Sequence, residues 1–258
     1  MFDLTIWLYG LAAVTALLTL VWVVSVRKVD VSIIDAFWPL TFVLGYFVYR
    51  HFSATASGAR HHLVLALLFV WALRLALHLF RRWNEPEDRR YRAMRERQGG
   101  RFWLKSLFTI FWVQALLSWF ISLPLLAVAL ASSELGALDA LGVALFVVGF
   151  VFEAVGDAQL VRVQKRADSK DRVLDSGLWR YTRHPNYFGE FCIWWGFGAF
   201  ALASGAWWAL AGPGLLSVLL FEVSGVALLE SDIHERRPGY ADYVRRTSAF
   251  FPRPPRAS

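Results

Sequence analysis

The run Gly177-Leu-Trp-Arg-Tyr-Thr-Arg-His-Pro-Asn-Tyr-Phe-Gly-Glu190 carries the densest chemistry in the chain. Arg180, Arg183 and His184 come just before Pro185, where the sequence predicts a new helix, and Asn186 is a good N-capping residue. A helix N-terminus offers unpaired N–H groups and the positive end of the peptide dipole, so it can hold a phosphate. Guanidinium groups beside it add charge-assisted donors. The run lies between two long apolar segments. It therefore reads as the seat of a phosphorylated cofactor against a membrane-embedded pocket.

Other residues extend this cluster. Asp157-Ala-Gln-Leu160 and then Arg162, Lys165, Arg166 and Arg172 precede it, and the tail adds Glu230, Arg236, Tyr240 and Tyr243. An adenosine 2′-phosphate typically takes an arginine, and adenine takes an aromatic or guanidinium face. The candidates for cofactor contact are Glu153, Asp157, Arg162, Arg172, Arg180, Tyr181, Arg183, His184, Asn186, Tyr187, Glu190, Arg236 and Tyr243. Taken singly, most of these arginines read as solvated loop charges, and the tyrosines as interfacial aromatics. No G-x-G-x-x-G follows a strand pattern and no Walker loop occurs, so a nucleotide would bind by a non-Rossmann route.

The elements that must position these groups are apolar. Of 258 residues 57% are hydrophobic, 13 are tryptophan, and runs long enough to span a bilayer recur. Leu4 to Val26 is too long for a signal peptide and lacks a basic leader, so it reads as a first membrane helix. Seven spans are predicted: Leu4–Val26, Val31–Tyr49, His62–Phe80, Ser106–Ala131, Leu138–Val161, Tyr187–Ser204 and Trp207–Leu229. The fold class is an all-α integral membrane protein, one membrane-embedded domain of seven transmembrane helices.

Lys and Arg number nine in Arg81–Lys105, seven in Arg162–His184 and six after Leu229, against none near Ser132–Asp139 or Gly205. The positive-inside rule puts these basic loops and the C-terminus in the cytosol and the N-terminus outside. Arg50 and Arg60 are exceptions on the outer side. This distribution explains the net charge of +7 better than nucleic acid does. The single cysteine, Cys192, permits no intrachain disulfide and reads as a packing residue.

Charged groups at membrane depth usually pair or face a cavity. They are Asp35 in span two; Arg74 and His78, four residues apart in span three; Glu153 and Asp157, likewise four apart in span five; Glu190; and Glu222 and Glu230. Asp35 could pair with Arg74 simply to hold helices in register. Glu153 and Asp157 repel unless something bridges them, as ribose hydroxyls or a carboxamide would. The six histidines show no zinc spacing within one helix, so no metal site is expected.

Trp179-Arg-Tyr-Thr-Arg-His-Pro-Asn-Tyr-Phe-Gly-Glu190 resembles the signature of the membrane steroid 5-alpha-reductase family, in its bacterial branch. Asp157-Ala-Gln-Leu160, Glu87-Asp-Arg-Arg-Tyr91, Arg74 with His78, and Arg237-Pro-Gly-Tyr-Ala-Asp-Tyr243 are similar to the same branch, from Asp35 onward. The resemblance implies seven membrane helices, NADPH bound from the cytosolic side, and reduction of the 4,5 double bond of a 3-oxo-4-ene steroid or similar lipophilic enone. It places Asp35 at a carbonyl-binding glutamate and Trp71 at a tyrosine. It aligns Asp157, Arg172, Asn186 and Glu190 with cofactor residues, with Glu153 at an asparagine. The implied catalytic group is Asp35, Trp71, Arg74 and His78, with Asp35 as a protonated acid at the carbonyl.

Membrane lipids and a steroid-like molecule are the expected partners, in a bacterial inner membrane. The chain is read as a monomer, although Gly142, Gly149 and Gly156 could pack helices within one chain or between two. The natural substrate stays open. Isoprenylcysteine methyltransferases share the His-Pro core and an acid/arginine tail such as Glu230 and Arg236, so an S-adenosylmethionine-dependent methyltransferase is the alternative. A non-catalytic sterol-binding membrane protein is a third reading, which the arginine-rich helix start argues against.

Overall fold

The computed structural model describes residues 2–83, 86–132, 134–165, 173–223 and 239–255. The described residues form helices and no β-strand; one isolated bridge joins Thr182 to Ser248. Four helical stretches, Leu4–Lys28, Ala59–Trp83, Arg89–Ile121 and Ala137–Gln164, are long and apolar enough to cross a membrane. Large apolar side chains such as Leu20, Phe69, Val70, Val147 and Val151 point outward from them. A water-soluble protein would bury these, so this is an all-α membrane protein.

The chain divides into two compact units. The first comprises Met1–Gly136 with Phe200–Gly212, and the second Ala137–Ala199 with Pro213–Ser258.

In the first unit α1 (Leu4–Lys28) and α2 (Ile33–Phe52) are joined by a tight turn, and α3 (Ala59–Trp83) packs on α2. Asp3 caps α1 by accepting from the Ile6 N–H at 3.0 Å. The helix stops at Val29, whose φ of 55° is left-handed. There the N–H groups of Val29 and Asp30 return to the Val26 and Ser25 carbonyls. A β-branched residue is strained in that region, and outside contacts must hold it.

The expected span Ser106–Ala131 is more segmented than its composition suggests. A polar helix, α4 (Arg89–Gln98), comes first, capped by Asp88 and stopped at Gly99 with φ of 65°. Then follow α5 (Phe102–Ser106), a π-helical turn over Leu107–Trp112, α6 (Val113–Ile121) and α7 (Leu123–Ala129). Pro124 sits in the first turn of α7, where its missing N–H costs nothing.

Arg50 and Arg60 were exceptions to the charge rule, and both have structural duties. Arg50 donates to the Ala129 carbonyl at 2.8 Å and Arg60 to that of Glu134 at 2.7 Å. They satisfy carbonyls at and beyond the end of α7 that have no helical partner.

In the second unit α8 (Ala137–Gln164) packs along the part of α9 (Pro185–Ala203) that belongs to this unit. Glycines set the distance between them. A Cβ added to Gly149 would lie 2.5 Å from the Gly189 carbonyl oxygen, and one on Gly189 would lie 2.5 Å from that of Gly149. Gly196 meets the Gly142 carbonyl in the same way, and Gly156 meets Pro185. The small residues noticed in the sequence thus pack helices within one chain. Beyond them lie α10 (Ala211–Val218), which begins in the first unit, and α11 (Tyr240–Arg246).

We expect Gly149→Ala to lower stability by about 1–3 kcal/mol, because the obstacle is backbone. Gly214→Ala, with nothing within 4 Å, should be neutral or stabilising. Thermal unfolding of both variants in detergent compares the two.

Candidate functional site

The predicted residues fall into two groups, one in each unit. In the first, Asp35 lies in the opening turns of α2 and is partly buried. Its Oδ1 accepts from the Tyr91 hydroxyl at 2.8 Å, and its Oδ2 lies 3.5 Å from Arg90 Nη2. The sequence offered Arg74 as an ion-pair partner; Arg90 and Tyr91 on α4 take that place. The Tyr91 hydroxyl and the Arg90 guanidinium, both from α4, thus face the two oxygens of one carboxyl group.

Tyr91 is held by packing. It is buried in a core cluster with Leu18, Ile33, Ile34 and Phe102. The turn before α2 is fastened to the same segment. Glu87 accepts from the Val31 N–H at 2.9 Å and pairs with Arg95 at 2.6 Å. Arg95 also donates to the Val29 carbonyl at 3.1 Å, and the Asp88 N–H donates to Ser32 Oγ at 2.8 Å. These contacts hold the strained Val29 and fix the register of Asp35 against Tyr91.

Sequence reasoning did not single out Tyr91 as a partner of Asp35. It stood in plain view in Glu87-Asp-Arg-Arg-Tyr91, noted there only for its likeness to a family pattern.

Trp71 is fully buried on α3, while Arg74 and His78 are partly buried. Their spacing puts all three on one side of that helix. Trp71 meets Trp38 edge-on at 6.5 Å and Phe42 at 5.7 Å.

In the second unit the glycine contacts bring the predicted acids to the first turns of α9. Gly189 lies directly against Glu153, a Cβ there meeting its N at 2.6 Å. Gly156, next to Asp157, faces Pro185 and the Asn186 N–H. Glu153, Asp157, His184 and Glu190 are all buried. Glu190 accepts from the Trp194 indole at 3.1 Å, and His184 stacks on Tyr187 at 5.6 Å between ring centres. Helix α9 begins at Pro185 as predicted. However, the His184 carbonyl accepts the first helical bond, from the Phe188 N–H, so His184 and not Asn186 is the N-cap. Proline's fixed φ suits the first helical position and moves Asn186 one residue inside.

The loop before α9 is stitched to the C-terminal segment. Thr182 Oγ1 donates to the Phe250 carbonyl at 2.7 Å, and the Arg183 N–H to that of Ser248 at 2.9 Å. Arg183 Nη1 donates to the Thr247 carbonyl at 2.8 Å, just past the end of α11. The Tyr243 hydroxyl donates to the Trp179 carbonyl at 2.5 Å. Arg183 and Tyr243 therefore brace the loop.

Arg180 and Tyr181 are exposed. Arg162 lines an open cavity of about 310 Å³ with Gln159, Val163, Leu174, Ser176 and Gly177. Arg172, Glu230 and Arg236 lie outside the described residues. Among those described, no group of three or more His, Cys, Asp and Glu could hold a metal ion.

The chain matches the family described as "Protein of unknown function (DUF1295)" over residues 21–247. That span contains both groups of residues. The chain belongs to the DUF1295 family. It is also 30% identical to "Uncharacterized protein C594.04c" of Schizosaccharomyces pombe over 264 residues, covering 90% of this chain and 75% of that relative. No solved structure matches this DUF1295 protein.

Tyr91→Phe deprives Asp35 of its shortest hydrogen bond, and we expect it to cost about 1–3 kcal/mol in thermal unfolding. Asp88 gives a pH signature. Burial pushes its carboxyl up, but the Arg90 side chain and N–H prevail and hold it below its usual 3.8. Its stabilisation is therefore present above that value and fades as pH falls through the lower folded one. Asp88→Asn should remove this part of the acid loss, read from unfolding midpoints between about pH 5 and pH 2.

Proposed function

We propose that this protein is a membrane reductase that uses NADPH to saturate the 4,5 double bond of a 3-oxo-4-ene steroid or a similar lipophilic enone. The observation that carries the reading is the burial of Glu153, Asp157 and Glu190 around the start of α9. These three acids lie close together in an apolar helix pair, and ribose hydroxyls or a carboxamide suit them as ligand groups.

The residues present fit a phosphorylated nucleotide by their chemistry. Arg162 lines an open cavity and Arg180 is exposed nearby in sequence, so cations are available to phosphate, while the acids suit hydroxyl or amide donors. Arg172 and Arg236 complete the proposed set. When bound, the nicotinamide supplies the hydride that adds to the β carbon of the enone. Arg183 and Tyr243 hold in place the loop that leads into α9.

In the first unit, Asp35 and Tyr91 form the polar group assigned to the substrate carbonyl. As the β carbon gains hydride, the double-bond electrons move toward the carbonyl oxygen. The Tyr91 hydroxyl, polarised by Asp35, can turn its hydrogen bond to that oxygen and stabilise the developing enolate. Arg90 lies beside the same carboxyl group at 3.5 Å. A proton then adds at the α carbon, giving the saturated ketone. Trp71 lines the substrate region and helps exclude water. Arg74 and His78 are assigned to the same region.

We also propose seven membrane spans, with the N-terminus outside and the C-terminus in the cytosol. The basic loops support this orientation.

The test is NADPH oxidation by purified protein with cholest-4-en-3-one, with the 4,5-saturated control cholestan-3-one inert. Asp35→Ala should lower turnover by about 10²-fold or more while NADPH binding stays intact. Joint loss of turnover and binding would show that Asp35 is structural.

A further inference from the structure

Buried N–H groups in native proteins nearly always have an acceptor. The indole Nε1 of Trp38 is buried and meets none among the described residues. Trp7 and Trp83 share that condition, but Trp38 differs in its surroundings. It follows Asp35 by three residues on α2, so both lie on one side of that helix. Its ring meets Phe42 edge-on at 4.8 Å and Trp71 at 6.5 Å. Phe42 and Trp71 are fully buried. The donor thus sits beside apolar rings, with Asp35 one turn away on the same helix.

An indole nitrogen can only donate, so its missing partner is an acceptor. Apolar walls disfavour a charged or strongly hydrated ligand. A carbonyl oxygen on a hydrophobic molecule satisfies both conditions, and unlike a hydroxyl it brings no proton needing a partner of its own. We propose that the Trp38 indole N–H donates to the carbonyl oxygen of the lipophilic substrate, as a second contact beside Asp35 and Tyr91. The proposal rests on the enone reading above and names a residue that reading did not contain. Such a bond strengthens as negative charge grows on the oxygen.

The purified full chain in phosphatidylcholine nanodiscs is titrated with cholest-4-en-3-one and with cholest-4-ene, which lacks the carbonyl. The wild type is expected to prefer the ketone by about tenfold. W38F is expected to lose that preference and keep its affinity for the hydrocarbon analogue. If W38F does not fold, 3-benzothienylalanine at position 38 keeps the ring shape and removes only the N–H. An equal preference in wild type and variant overturns the proposal, as does no preference in the wild type. NADPH oxidation in the same preparation separates the two claims. A preference lost in the variant, with no oxidation by the wild type, keeps Trp38 as the carbonyl donor and removes the reductase reading.

Discussion

Carboxylates inside an apolar helical protein must be given donors, because the medium supplies none. That constraint organises both units. In the first it explains why a polar segment, Glu87–Gln98, folds onto the ends of α1 and α2. Tyr91 and Arg90 come from that segment to Asp35, while Glu87 and Arg95 hold the strained turn at Val29. These partners hold the Asp35 side chain in place. With them it sits at a fixed height, one turn before Trp38.

The second unit meets the same constraint by close packing. Gly149, Gly189 and Gly156 let backbone meet backbone, so Glu153 and Asp157 reach the N–H-rich start of α9. A bulkier interface would hold those acids away from it. The C-terminal segment then fixes the loop that leads into α9, through Thr182, Arg183 and Tyr243. Ring contacts among Phe188, Phe191, Phe221 and Phe250 consolidate the same region.

Much of this was legible in the residues. The apolar runs foretold the long apolar helices among the described residues, and Pro185 marked the start of α9, since proline both ends what precedes it and fits a first helical position. The acids of α8 could be paired from their spacing alone. The polar helix α4 was not foreseen, because its stability comes from the Asp88 cap and from Tyr91 packing on distant residues. Arg183 looked like a phosphate ligand from its neighbours in sequence; its carbonyl partner, Thr247, is 64 residues away. Trp38 gave no signal at all, since an unpartnered N–H is visible only once every neighbour is in place.

The most direct measurement is mass spectrometry of the small molecule released when gently purified protein is denatured. The account predicts NADPH or its oxidised form, and it predicts that excess NADPH restores the signal to protein that has been stripped. Release of S-adenosylmethionine or its demethylated product, with no uptake of NADPH, would contradict it.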